Sequence, residues 1–268
     1  MLGYTTIEKK VGETPLETAE RLRESLRIPA GIPLAYAGRL DPMASGKLLV
    51  LIGDECKVQE KYHDFDKRYV VEVLIGAHSD TGDVLGLVQT CISKTTTERK
   101  CAEVLNSLRG DIELPYPHFS SRTVKGKPLH TWALEGRLRE IEIPAKHSTI
   151  HSLRFLGLRT VTKAEAVATA SNKIETIPKV VDERKALGAD FRRCDVRKAW
   201  AEVAKNEHDT FQVLTFSCIA SSGTYMRSLA GLIGEKLGSC GLAYSIHRTH
   251  IGTYLPLFHN FGIWLRSF

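Results

Sequence analysis

Two spacings of apolar residues alternate along this chain. Leu16, Ala19, Leu22 and Leu26 recur every three or four positions, the interval of one helix face. Thr14-Pro15-Leu16-Glu17 just before them supplies a capping box: Thr14 as N-cap, proline in the first helical position, and Glu17 able to reach back to the cap. The pattern predicts a helix ending near Pro29 and Gly31. Tyr69, Val71, Val73 and Ile75 follow the period of two and predict a strand over residues 67–76. Residues 211–220 predict another strand, which leads through Ser221-Ser222-Gly223 into a helix from Thr224 to about Leu237. Met226, Leu229, Ala230, Ile233 and Leu237 form its buried stripe.

Weaker patterns fill the intervals. Residues 97–108, closed by Gly110, predict a helix facing inward with Ala102, Leu105 and Leu108. Ile150, Leu153, Leu156 and Leu158 mark one or two short strands, and residues 243–254 return as a final strand region. Residues 161–209 favour helix but are dense in balanced charge and interrupted by Pro178, which predicts a mobile peripheral segment or an insertion.

Composition adds a partner class and removes others. The net charge of +6 and a pI near 9.0 favour a polyanion. Between residues 115 and 139, Arg122, Lys125, Lys127, Arg137 and Arg139, with His118 and His130, face a single acid, Glu135. With Pro115, Pro117 and Pro128 excluding a continuous helix, this reads as a basic loop able to hold phosphates. No apolar run approaches membrane-spanning length and the first residues lack a secretory signal, which predicts a cytosolic protein. The six cysteines, at 56, 91, 101, 194, 218 and 240, show no C-x-x-C spacing, so neither zinc nor disulfides are predicted.

Candidate chemistry centres on Gly38-Arg39-Leu40-Asp41-Pro42-Met43-Ala44-Ser45-Gly46. Pro42 restricts Asp41 to extended or turn geometry, and the flanking glycines let another backbone or a ligand come close. A carboxylate so held is either a turn cap or a reactive group. Tyr69 begins its strand, and Arg227 lies in the first turn of its helix. The helix dipole opposes a cation there, so Arg227 has either an anionic partner or open solvent. The carboxylates of Asp80-Thr81-Gly82-Asp83 suit either backbone capping or a metal.

Four blocks, in order, resemble the TruB family of pseudouridine synthases. Lys9-x-x-Gly12 resembles its opening element, and the Asp41 stretch its Gly-x-Leu-Asp-Pro-x-Ala-Thr-Gly core. Lys67-Arg68-Tyr69 with Asp80-Thr81-Gly82-Asp83 resembles its Lys-x-Tyr strand and following acidic loop. Ser222-Gly223-Thr224-Tyr225-Met226-Arg227 resembles its Gly-Thr-Tyr-Ile-Arg helix start. The resemblance implies one mixed α/β (α+β) catalytic domain over residues 1–268, built on a bent, mostly antiparallel sheet with flanking helices. It implies conversion of uridine to pseudouridine in RNA, with the T-loop uridine of tRNA as target and no metal or organic cofactor. Asp41 would be the nucleophile, Arg227 its ion-pair partner, and Tyr69 the residue stacked on the flipped base. Lys9, Tyr36, Asp80 and Ile246 would contact substrate, and Arg122, Lys125 and Lys127 would grip the phosphates of the T stem-loop.

Departures accompany the resemblance. Tyr36-Ala37 stands where the family has His-Thr, a position associated with wedging into the RNA fold. Arg39-Leu40-Asp41 is also similar to the large-ribosomal-RNA synthases. The chain stops at Phe268, where the family continues into a C-terminal RNA-binding (PUA) domain. The alternatives are a synthase acting on another RNA or with a guide RNA and partner proteins, and a non-catalytic RNA-folding protein. A cytoplasmic monomer is expected.

Overall fold

A computed structural model describes residues 3–91, 95–180, 190–205, 210–258 and 261–268. The chain opens with β1 (Tyr4–Lys9) and α1 (Pro15–Ser25), then β2 (Leu34–Ala37) and β3 (Ser45–Ile52) on either side of the Asp41 loop. The predicted capping box is present: Thr14 Oγ1 accepts from the Glu17 amide at 3.2 Å and Glu17 Oε2 from the Thr14 amide at 2.7 Å. A 3-10 segment (Gly53–Tyr62) leads to β4 (Asp66–Ile75), the short hairpin β5 (Ala77–Ser79) and β6 (Val88–Thr90), α2 (Glu98–Ser107) and β7 (Gly110–Pro115). The buried face of α2 is Cys101, Val104 and Leu105, continued by Leu108; Leu105 and Leu108 are as expected, and Ala102 is half-buried.

Residues 115–139 are more ordered than a basic loop. They contain the two-residue strands β8 (Thr123–Val124) and β9 (Lys127–Pro128), turned at Lys125 and Gly126 in left-handed backbone, and the short helix α3 (Leu129–Leu134). Leu129 and Trp132 are buried beneath this unit, and Trp132 Nε1 donates to the Val124 carbonyl at 3.1 Å. The prolines excluded one long helix but not a short one begun just after Pro128.

Then come β10 (Ala145–Thr162), α4 (Lys163–Thr176), α5 (Arg193–Val203), β11 (Thr210–Ala220), α6 (Met226–Lys236), β12 (Gly241–Phe258) and β13 (Phe261–Ser267). Nine strands form one sheet in the order β1-β3-β12-β4-β11-β10-β7, with β2 on β3 and β13 on β12. Every pairing is antiparallel except β12 with β3, which meet in parallel at His247/Ser45 and Arg248/Gly46. Register shifts within β10 and β12 are the irregularities that bend such a sheet. The mixed, mostly antiparallel architecture is as expected.

At the centre, Val71, Val73 and Ile75 of β4 pack with Phe216 of β11 and with Leu229, Ala230 and Ile233 of α6. Gly234 permits that approach: a Cβ there would lie 2.2 Å from the Gly241 nitrogen at the start of β12.

Two expectations are corrected here. First, the described helices of residues 161–209 are not peripheral. Ala166, Ala170 and Ile174 of α4 and Val196, Trp200 and Val203 of α5 belong to the main core, and Trp200 Nε1 donates to the Val84 carbonyl at 3.0 Å. Averaged composition hid an amphipathic pair whose apolar faces keep helical spacing while most of their charges, buried Arg193 excepted, face solvent. Trp200→Ala is accordingly expected to cost about 3–5 kcal/mol of stability, seen as a fall in the denaturant midpoint, whereas a peripheral side chain would leave it unchanged.

Second, Cys91 and Cys240 are disulfide-bonded, with Cα atoms 6.3 Å apart. Both hydrogen-bond to Gly76 through the backbone, Cys91 donating to its carbonyl and Cys240 accepting from its amide, each at 3.0 Å. A pairing separated by 149 residues leaves no trace in cysteine spacing. Among the described residues, no helix is long and apolar enough to cross a membrane.

Candidate active site

The loop between β2 and β3 is pinned from below. Leu40, Met43 and Ala44 are buried, the Ala44 amide closes a turn onto the Asp41 carbonyl at 3.0 Å, and the Gly12 amide donates to the Pro42 carbonyl at 2.8 Å. Lys9 lies fully buried beneath the loop, where Nζ donates to the Ala44 carbonyl at 2.6 Å and the Lys10 carbonyl at 3.0 Å. Burial lowers its pKa to about 8, while the nearby carboxylates of Glu13 and Asp41 oppose that shift. Lys9 thus supports the loop and does not line the cavity above it.

Arg248 holds the same loop from the side. Its buried guanidinium donates to the carbonyls of Lys47 (2.7 Å), Gly38 (3.1 Å) and Arg39 (3.5 Å). Its backbone presses so closely on Gly46 that a Cβ there would lie 2.2 Å from the Arg248 carbonyl oxygen. Gly46 also has φ +114°, a conformation other residues rarely take, so this position requires glycine twice over.

With its neighbours anchored, Asp41 presents a carboxylate that is 37 % exposed, and Arg227, only 5 % exposed, meets it from α6. Arg227 Nε lies 2.7 Å from Asp41 Oδ2, although its N–H does not point along that line, so the pair is held by charge and proximity rather than a linear hydrogen bond. The two ends of the fork make the directed bonds: Nη1 donates to the Thr81 carbonyl at 2.8 Å and Nη2 to the Phe119 carbonyl at 3.3 Å. Burial by itself would lower the pKa of this guanidinium, but Asp41 and Asp83 outweigh it and raise it above the usual arginine value. The helix dipole, unfavourable to a cation here, is thus offset by an anionic partner, the first of the two options open from sequence.

Asp83 completes the buried charge group, with Oδ2 3.8 Å from Arg227 Nε. Its Oδ1 accepts from Thr81 Oγ1 at 2.7 Å and from the Leu85 amide at 2.9 Å, so the capping role is realised. Burial raises its pKa against the pull of Arg227. Asp80 likewise caps, accepting from the Leu87 amide at 2.8 Å. Among the described residues, no group of histidines, cysteines and carboxylates is placed to hold a metal.

Tyr69, on β4, is paired across the sheet with Cys218 and Arg248. Burial raises its phenol pKa, with the Arg248 guanidinium opposing, so the hydroxyl keeps its proton near neutrality. Lys67 sits two residues earlier on the same strand. It donates to Ser222 Oγ at 3.0 Å and to the carbonyls of His63 (3.2 Å) and Phe65, tying the turn before α6 to the approach to β4. Burial, reinforced by Arg248, lowers its pKa to about 8.

Asp41, Tyr69, Arg227, Ile246 and Tyr36 all line one cavity of about 1100 Å³. Segments from opposite ends of the chain therefore converge on one cavity. The remaining sequence candidates lie elsewhere. Asp80 is outside the cavity wall and pairs with Arg192 at 2.6 Å. Arg122 stacks over Tyr116 at 5.2 Å, Lys125 donates to the Glu140 carbonyl at 3.1 Å, and Lys127 pairs with Glu135 at 2.8 Å and lies over Trp132. The local positive charge is also smaller than the residue count implied, because Glu135 and Glu140 pair with Arg137 as well. From that segment it is Phe119, Ser120, Ser121, His130 and Leu134 that reach the cavity.

Sequence reasoning gave Asp83 a choice between capping and a metal but no tie to Arg227, and it gave Lys67, Arg248 and Arg192 no site role. The first two stand inside recognisable blocks, and Arg248 lies two residues after Ile246, so proximity to a motif was their only signal. Arg192 had none.

Comparison with known proteins identifies relatives of this chain. Residues 33–174 match the model of the TruB family pseudouridylate synthase (N terminal domain). The chain is 26% identical over 254 residues to tRNA pseudouridine synthase B of Caldicellulosiruptor saccharolyticus, covering 95% of this chain and 69% of that protein. The Marinomonas sp. protein of the same name is 28% identical, with 95% and 65% covered, and that of Aquifex aeolicus 28%, with 94% and 69% covered. Among solved structures, a chain of a Cbf5-Nop10-Gar1 complex superposes with a TM-score of 0.53 at 17% identity, covering 93% of this chain and 49% of that one. A chain of an H/ACA RNP bound to a substrate RNA containing 2'-deoxyuridine gives 0.51 at 15%, with 92% and 46% covered. At those identities the structures speak for the fold alone, and this chain spans about two thirds of its curated relatives and about half of the structural neighbours. With more than half of its residues matched by the family model, the chain belongs to the TruB family of pseudouridylate synthases.

Proposed function

We propose that this protein converts uridine to pseudouridine in RNA, acting alone in the cytoplasm on the T-loop uridine of tRNA. The observation that carries this reading is a solvent-reaching Asp41 carboxylate, fixed by a pinned loop and a buried Arg227, in a cavity shared with Tyr69 and Ile246. The reaction breaks the bond from ribose C1′ to uracil N1 and makes one from C1′ to C5. N1 gains a proton, C5 loses one, and nothing is added overall. It therefore requires a nucleophile, a base held out of its stack, and a group near the migrating proton.

Asp41 serves as the nucleophile, and Arg227 balances its charge and aims it. Tyr69 and Ile246 make the apolar slot that receives the extruded base, with the protonated Tyr69 hydroxyl beside the reacting edge. Tyr36, in the cavity wall, replaces the family's histidine and contacts the RNA around the flipped nucleotide. Arg122, Lys125 and Lys127 lie on the outer unit of residues 115–139, where exposed ion pairs such as Lys127–Glu135 are weak enough to be exchanged for phosphates.

Incubating a tRNA transcript with the protein alone and mapping pseudouridine chemically tests the activity, the position and the independence from a guide together. A single modified T-loop uridine is expected. Modification elsewhere would reassign the substrate, and none at all in any tRNA would remove the reading.

A further inference from the structure

Arg192 enters the cavity wall from residues 161–209, the part of the chain with no motif. It lies just before α5 with φ +59°, a left-handed conformation that a non-glycine residue adopts at a cost, and Asp190 is left-handed as well at φ +43°. Arg193 locks this backbone: buried, it donates to the carbonyls of Ile174 (3.0 Å) and Ile177 (2.7 Å) at the end of α4 and pairs with Asp190 at 2.8 Å. The strained turn aims the Arg192 guanidinium at two particular neighbours. Nη1 donates to Asp80 Oδ2 at 2.6 Å, and the planar group lies 4.3 Å over the ring of Phe119.

Those neighbours belong to the two places where Arg227 is held. The carbonyl accepting from Arg227 Nη2 is that of Phe119, and the one accepting from Nη1 is that of Thr81, the residue after Asp80. Arg192 therefore grips by their side chains the two segments that grip Arg227 by their backbones. Because Arg227 Nε makes no linear bond to Asp41, these two carbonyls are what set the angle of its fork.

We propose that Arg192 is a positioning residue for the Asp41–Arg227 pair: it clamps the Asp80 and Phe119 segments so that their carbonyls orient Arg227. The proposal rests on the uridine-isomerase reading for its catalytic consequence, but not for its structural one. A direct phosphate contact by Arg192 is the competing role, and it acts on binding instead.

The test has a kinetic and a spectroscopic arm. Arg192→Ala is expected to lower kcat about tenfold or more with KM changed less than about threefold, and Arg192→Lys, which keeps the ion pair but not the planar stack, to recover part of the loss. Arg192→Ala and Asp80→Asn are expected to be non-additive in kcat, because they break the same clamp. A raised KM with unchanged kcat and a shallower salt dependence would assign Arg192 to phosphate and overturn the proposal, as would full additivity. Without RNA, the Arg227 Nε–H resonance, assigned by its loss in Arg227→Lys, is expected to shift or broaden in Arg192→Ala. An unchanged resonance in a well-dispersed spectrum overturns the proposal whether or not the wild type turns RNA over. Absence of turnover in the wild type counts against the isomerase reading alone.

Discussion

Asp41→Asn is expected to abolish pseudouridine formation, with kcat down by about four orders of magnitude or more, while RNA affinity stays within about tenfold of wild type. The substitution isolates chemistry from architecture. The turn around Asp41 is closed by its backbone carbonyl, and the loop is held by Lys9 and Arg248 through carbonyls, so an asparagine side chain disturbs none of those bonds. An amide of nearly the same shape lacks the negative charge that the proposed attack requires, and it no longer answers the buried guanidinium 2.7 Å away. Single-turnover pseudouridine formation and filter binding on one tRNA transcript separate the two effects. Turnover that survives the substitution would place the nucleophile elsewhere.

Arg227→Ala is expected to act on both function and fold. Removing the guanidinium leaves buried Asp83 and partly covered Asp41 without the cation that stands between them, and strands the carbonyls of Thr81 and Phe119. Breaking one side of a buried ion group costs about 3–5 kcal/mol, so a lower denaturant midpoint should accompany a loss of turnover of about a thousandfold. Arg227→Lys separates the contributions. A lysine keeps the charge but presents a single ammonium, which does not span both carbonyls and the carboxylate as a fork does. It should restore most of the stability and little of the rate. If Arg227→Lys restored both, a nearby positive charge would be sufficient and the fork's geometry irrelevant.

Much of the fold was legible locally because local physics sets it. The capping box at Thr14, the alternation along β4 and the apolar stripe of α6 each place a side chain on a face through bonds and spacings within a few residues. Asp41, Tyr69 and Arg227 were legible as a set through the motifs around them. The errors share a cause. The average charge of residues 161–209 says nothing of which face bears it, and so it does not reveal the core role of Trp200. The charges of residues 115–139 were counted without their partners, and Glu135 and Glu140 neutralise part of that count only once α3 and the turn after it are in place.

By itself, then, the sequence determined the strands and helices, the constrained turn bearing Asp41, and the residue types a uridine isomerase needs. Tertiary structure alone decided that β3, β4, β12 and α6 bring those residues to one cavity, that Cys91 meets Cys240, that Lys9 and Arg248 support the Asp41 loop from beneath and beside it, and that Arg192 reaches the segments that hold Arg227. Periodicity reports which face a residue occupies. Which distant face it meets is set by strand order and helix packing over the whole chain, and a carboxylate's partner, with its charge state, depends on that meeting.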